Sequence, residues 1–303
     1  MSNLALIIIC FVAGAALRHF GKVPDNGPGT LNAFIIHVSL PAMVLLQIHR
    51  LELDTALLFA VLMPWLSFLL AVPFFMLLGK FMGWDRGTIG CLILLGGLGN
   101  TSFIGLPMIQ AYYGEHMLGV GIVADQIGSF LVLSTLGILT AAIFSQGTKV
   151  TFSAVIRRII TFPPAIAVVV ALLLRSVEYP MWFVDTLEAL GATVAVLAMA
   201  SVGMFFQFEK LQQDLRGPLL AGLSYRLFLA PLIALVVFVL LIGGRGEILQ
   251  VTIFEAAMPP MVVGGLIAIQ HGLNPRLATL MLALGTLASF ITLALWYLVT
   301  GWV

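Results

Sequence analysis

Apolar residues run along this chain in long blocks set apart by short polar punctuation. Ten of the blocks approach the roughly 20 residues that carry a helix across a bilayer. They fall at about 3–18, 30–48, 55–79, 88–111, 117–144, 152–174, 187–206, 217–242, 248–270 and 275–301. The runs are uninterrupted and do not alternate polar with apolar residues as barrel strands do, so each is predicted to be a helix. Two blocks are broken at their middles. The fourth carries Gly96, Gly97, Gly99, Asn100, Thr101 and Pro107, and the ninth carries Glu255, Pro259, Pro260, Gly264 and Gly265. Backbone that leaves a helix at mid-bilayer depth must have its freed N–H and C=O groups satisfied by protein or by a water-filled cavity. A matched pair of such interruptions is the pattern of a transport site.

The blocks follow the order short, medium, long, broken, long in residues 1–146, and the order recurs in 147–303. A duplication accounts for this. Five spans per unit is an odd number, so the second unit enters the membrane from the opposite face and the repeats are inverted. The expected fold is therefore an all-α membrane protein of ten transmembrane helices, built as two inverted five-helix repeats with spans 4 and 9 broken.

Composition narrows the class. A hydrophobic fraction of 61% with only 9% charged residues excludes a soluble domain, in which about a quarter of residues are charged. Arg18 and Lys22 follow the first apolar run, and no basic stretch precedes it, so the run reads as a span and not as a cleaved leader. One set of alternate loops holds Arg18, Lys22, Lys80, Arg86, Lys149, Arg157, Arg158, Lys210, Arg216 and Arg276, and the other holds Arg50, Arg175 and Arg245. By the positive-inside rule both termini lie outside, in a bacterial cell on the periplasmic side of the inner membrane. Nucleotide-binding loops, metal-ligand clusters and basic nucleic-acid patches are missing from the sequence, so no cofactor, metal or nucleic acid is expected.

The candidate chemistry sits at the breaks. Asn100, Thr101 and Ser102 offer amide and hydroxyl groups beside flexible glycines, and Pro107 removes one donor as the helix restarts. A restarted half-helix presents unpaired N–H groups and the positive end of its dipole, which suits an anion; a merely kinked, closely packed helix is the plainer alternative. Met258, Pro259 and Pro260 form the second break, because successive prolines cannot continue a regular helix. Glu255, one turn upstream, is an ionisable group at membrane depth and a candidate for cation or proton coupling or for structural pairing. Arg226 lies about ten residues into the eighth span. It either attracts an anionic substrate or neutralises an internal carboxylate such as Asp125 or Glu255. Asp125, beside Gln126, reads as Arg226's partner, part of a proton path, or a satisfied core carboxylate.

At these residues the chain resembles the auxin efflux carrier family, which includes plant auxin exporters and bacterial permeases of malate or malonate type. The resemblance covers essentially the whole length. It rests on Asn100-Thr101 through Gly105-Leu106-Pro107, on Leu40-Pro41-Ala42, and on Ala257-Met258-Pro259-Pro260. It implies crossing broken helices in a mobile transport domain of spans 3–5 and 8–10. Spans 1, 2, 6 and 7 would form a scaffold and the interface of a homodimer. Substrate contacts would fall at Asn100, Thr101, Met258, Pro259 and Pro260. The plant exporters have a proline where this chain has Gly99, and many carry a long cytoplasmic loop that is nearly absent between Ile143 and Thr151. Both departures point away from auxin and toward a small organic acid. The function expected is that of a secondary carrier, not an enzyme, exporting a small carboxylate by elevator-like alternating access. A Na⁺- or H⁺-coupled importer of the bile-acid-symporter type and a ligand-binding receptor without transport are the alternatives. An intramembrane protease is disfavoured, because Asp125 has no aspartate partner in another span.

Overall fold

A computed structural model describes residues 2–145, 152–205 and 212–303. The expected division between the halves at 146/147 and the cations Lys149 and Lys210 lie outside the described residues. The helices, in chain order, are α1 (Ser2–His19), α2 (Gly27–Arg50), α3 (Leu57–Met82), α4 (Arg86–Gly97), α5 (101–112), α6 (Glu115–Phe144), α7 (Phe152–Ile160), α8 (Pro163–Leu173), α9 (Met181–Phe205), α10 (Gln213–Leu241), α11 (Glu247–Ala256), α12 (Val262–Gln270) and α13 (Pro275–Thr300). Among the described residues there is no β-strand. Six helices, α2, α3, α6, α9, α10 and α13, are each long and apolar enough to cross a membrane. Exposed leucines recur along α3 at Leu58, Leu62, Leu69 and Leu77, and α13 exposes Ile291, Leu295 and Leu298. In water such stripes would be a liability; against acyl chains they are the contact surface.

The block at 152–174, read from the sequence as one span, is divided. Pro163 and Pro164 open α8, and the residue before a proline is pushed out of the helical region, so Phe162 is extended at φ −79° and ψ 114°. What precedes it becomes the separate helix α7, which carries Arg157 and Arg158 among apolar residues.

Helix packing follows the small residues. α1 lies along α9, and α2 is covered by α8 and α9. α3, α4 and α6 pack on one another, α11 adds to α3, and α10, α11 and α12 pack on α13. On the α1–α9 seam a first side-chain carbon at Gly14 would overlap the carbonyl of Ala200, and one at Gly203 would overlap the carbonyl of Phe11. Neither obstacle is a side chain that can swing away. Gly203→Val should therefore push the two backbones apart and cost about 1–3 kcal/mol, as overpacking does. A lowered thermal midpoint in detergent checks this, and an unchanged midpoint would show that the seam is looser than it looks.

The starts of α4 and α13 are tied to each other. Asp85 caps α4 by accepting from the Thr88 N–H at 3.0 Å and from the Thr88 hydroxyl. That hydroxyl in turn accepts from Asn274 Nδ2 at 2.8 Å, while Asn274 Oδ1 caps α13. Partial burial works against the Asp85 charge, but the hydrogen bonds from Thr88 outweigh it and hold the carboxyl below the usual range.

Candidate functional site

The two interruptions meet. α4 stops after Gly96 and Gly97, Leu98 turns extended at φ −111° and ψ 120°, and Asn100 begins α5. α11 stops at Ala256, and Met261, extended at φ −68° and ψ 125°, precedes α12. The extended pieces pair antiparallel with Gly99 opposite Pro260. Asn100 N donates to Pro259 O at 2.8 Å, and Met261 N donates to Leu98 O at 3.0 Å. The donors used belong to residues 100 and 261, so Pro259 and Pro260 end α11 without leaving a hole in the pairing.

Asn100 is buried, and its side-chain oxygen caps α5 by accepting from Phe103 N at 3.2 Å. That bond fixes which end of the amide is oxygen and leaves Nδ2 as a buried donor with no partner. The first turn of α5 is wide, Gly105 N donating to Asn100 O at 2.9 Å over five residues, a π turn of the kind found at functional sites. Two further π turns, at Ala124–Ser129 in α6 and Tyr225–Leu229 in α10, carry Asp125 and Arg226.

Arg226 spends its direct hydrogen bonds on backbone, while Glu255 is the carboxylate whose charge acts on it across the crossing. Its guanidinium donates from Nη1 to the carbonyls of Gly96 and Gly97, both at 3.3 Å, and from Nη2 to the carbonyl of Ala256. These are the carbonyls that α4 and α11 leave free where they stop. One cation thus caps the negative ends of both half-helices. Among the described residues no carboxylate lies within ion-pair distance of it. The freed carbonyls are the nearer acceptors, which is why the guanidinium reaches them and does not line the cavity described next.

Asp125 is buried, with one oxygen accepting from the Thr101 hydroxyl at 2.6 Å and the other from Gln126 Nε2. Glu255 is fully buried, and neither of its oxygens has a hydrogen-bond partner. Its carboxyl lies over Gly105, where a side chain of any size would collide with both oxygens, and close to Gly121. Pro107, Met258, Pro259 and Pro260 are buried around the crossing.

Beside the crossing lies a cavity of about 160 Å³. Asn100, Ser102 and Asp125 line it, with Phe103, Phe130, Phe162 and Met261 among its apolar walls and Arg158 from α7. Thr101, Pro107, Met258, Pro259 and Pro260 are not among the lining residues. Sequence reasoning missed Arg158 and Phe162. The legible signal was a run of two arginines among apolar residues just ahead of Pro163-Pro164, which marks a short amphipathic helix and not part of a span.

Two broken helices meeting beside a cavity at an unpaired donor are a pattern of membrane transport proteins, and comparison with known proteins places the chain among them. The family described as membrane transport protein matches residues 1–297. An uncharacterized transporter of Methanothermobacter thermautotrophicus is 26% identical over 97% of this chain and 96% of its own length. The uncharacterized transporter YfdV of Escherichia coli is 24% identical over 99% of this chain and 97% of its own. A probable auxin efflux carrier component 5b of Oryza sativa subsp. japonica is 29% identical over 40% of this chain and 35% of its own. The chain is an integral membrane protein and belongs to the membrane transport protein family, that of the auxin efflux carriers.

Proposed function

We propose that this transporter is a secondary carrier that moves a small carboxylate out of the cell, binding it at the crossing of α4/α5 with α11/α12. The observation that carries the reading is the buried, unpartnered Nδ2 of Asn100 beside a small cavity. The amino ends of α5 and α12 also meet there, and both favour negative charge. In this reading the chain makes ten spans in two inverted repeats with both termini outside. Spans 1, 2, 6 and 7 form a scaffold and homodimer contact, and spans 3–5 and 8–10 move against it as an elevator. Efflux of one negative charge from a negative-inside cell gains about 2.3 kcal/mol per 100 mV, so no coupled ion is required. Proteoliposomes loaded with a panel of labelled mono- and dicarboxylates test this. Efflux of at least one acid, accelerated by an inside-negative potential, is expected; tight binding without flux would instead identify a receptor.

Glu255 favours a second reading, in which a proton travels with the substrate. The Glu255 carboxyl is fully buried with neither oxygen hydrogen-bonded, beside the crossing where the substrate would sit, which suits a group that binds and releases a proton as the carrier moves. The ionisable groups around it are Asp125 on α6 and Arg226 on α10. Glu255→Gln should fold normally and abolish any stimulation of flux by a pH gradient. Stimulation that survives the substitution would move the coupling elsewhere, and stimulation by Na⁺ in place of H⁺ would favour the symporter alternative.

A further inference from the structure

We propose that Arg158, on the short helix α7, is the anion receptor of the cavity, pairing with the one carboxylate of a substrate whose apolar body lies among Phe103, Phe130 and Phe162. The inference rests on the carboxylate-carrier reading and says which group recognises the charge. The hydrogen-bonding capacity around the cavity is unequal. Its acidic group, Asp125, has both oxygens occupied, by Thr101 and Gln126. Asn100 Oδ1 is occupied by the cap it makes on α5. Beside the Ser102 hydroxyl, which can donate or accept, what remains free is donor: Asn100 Nδ2, which has no partner, and the guanidinium of Arg158, which has no hydrogen-bond or ion-pair partner among the described residues. A site whose unpartnered groups are predominantly donors takes an acceptor, and one that includes a guanidinium takes an anion.

The placement of Arg158 is built into the fold. Pro163-Pro164 ends α7, and the link that follows is held by Phe162, whose ring stacks on Phe130 of α6 with centroids 4.0 Å apart and planes 13° from parallel. α7 itself packs on the α6 segment 133–137. The adjacent Arg157 is exposed, whereas Arg158 is partly buried and reaches the cavity wall. The walls also limit the ligand. Arg158 is the one cation among the lining residues, and apart from Asn100, Ser102 and Asp125 the rest are apolar. A second carboxylate would face apolar side chains or the acidic Asp125, so a monoanion with an apolar body fits and a dicarboxylate does not.

The test measures binding of hexanoate and of malonate to the purified full-length protein by ligand-induced thermal shift. It uses the wild type, Arg158→Gln, Arg158→Lys and Arg157→Gln, with ligand-free midpoints recorded for each. The expected result is that the wild type prefers hexanoate, that Arg158→Gln weakens hexanoate at least tenfold, that Arg158→Lys recovers part of the loss, and that Arg157→Gln binds as the wild type does. If Arg158→Gln lowers the ligand-free midpoint and leaves hexanoate affinity intact, the arginine serves only to anchor α7 at the membrane surface and the inference is overturned. Tighter binding of malonate than of hexanoate overturns the single-carboxylate part. Failure of the wild type to bind either acid overturns the inference without any variant, and it is distinguishable from failure of the carrier reading, which would require that no acid of the proteoliposome panel be transported.

Discussion

Replacing Arg226 by methionine is expected to cost the protein its fold, whether or not substrate is present. The guanidinium is the partner of three carbonyls, those of Gly96, Gly97 and Ala256, at the ends of two half-helices that stop inside the structure. Methionine fills much of the volume and supplies no donor. Each buried carbonyl left without a partner costs about 1–3 kcal/mol, so three of them consume much of a total stability that is typically only 5–15 kcal/mol. Lysine is a poor substitute, because one ammonium cannot reproduce the fork that reaches both helix ends at once. Size-exclusion profiles and thermal midpoints in detergent without ligand read the outcome. A methionine variant as stable as the wild type but unable to bind anions would reverse this account and return Arg226 to the role of substrate receptor.

Arg226 also shows where the sequence stops being legible. That it is buried and needs acceptors follows from its depth in an apolar block. That the acceptors are the broken ends of α4 and α11 does not follow, because it depends on a crossing between segments some 160 positions apart, joined by the pairing of Gly99 with Pro260. The breaks themselves were readable, since Gly96-Gly97 and Pro259-Pro260 act on the backbone within a few residues of where they stand. The π turns that aim Thr101, Asp125 and Arg226 inward leave no such mark. Apart from Gly105 and Gly128 their residues are ordinary helix formers or neutral ones, and glycines are too frequent in this chain to single out a π turn. Asp125 could be placed in a span but not given partners, because Thr101 comes to it from another helix. Arg158 is the instructive miss. Hydropathy averaged over 152–174 conceals a helix boundary that Pro163-Pro164 states plainly, and the loop arginine that the average produced is a cavity-lining one.

Substituting Asn100 should separate recognition from folding, because the side chain does two things with two different atoms. Oδ1 caps α5, and Nδ2 is the free donor at the cavity. Serine caps a helix about as well as asparagine, whereas alanine loses roughly 1 kcal/mol at a capping position. Neither carries the amide donor. Asn100→Ser should thus keep the thermal midpoint near that of the wild type, and Asn100→Ala should lower it. Both should bind carboxylate more weakly by the worth of one hydrogen bond to a charged group, about 1.5–3 kcal/mol, which is about 10- to 150-fold in affinity. Carboxylate efflux from proteoliposomes should fall in parallel for the two variants despite their different stabilities. If flux instead tracks stability, with the serine variant transporting as well as the wild type, then Asn100 is a cap and nothing more, and the substrate must be held by other groups. The parallel loss would arise only if the substrate's own oxygen completes the amide's hydrogen bonding, filling the donor that the protein leaves unpaired at the crossing.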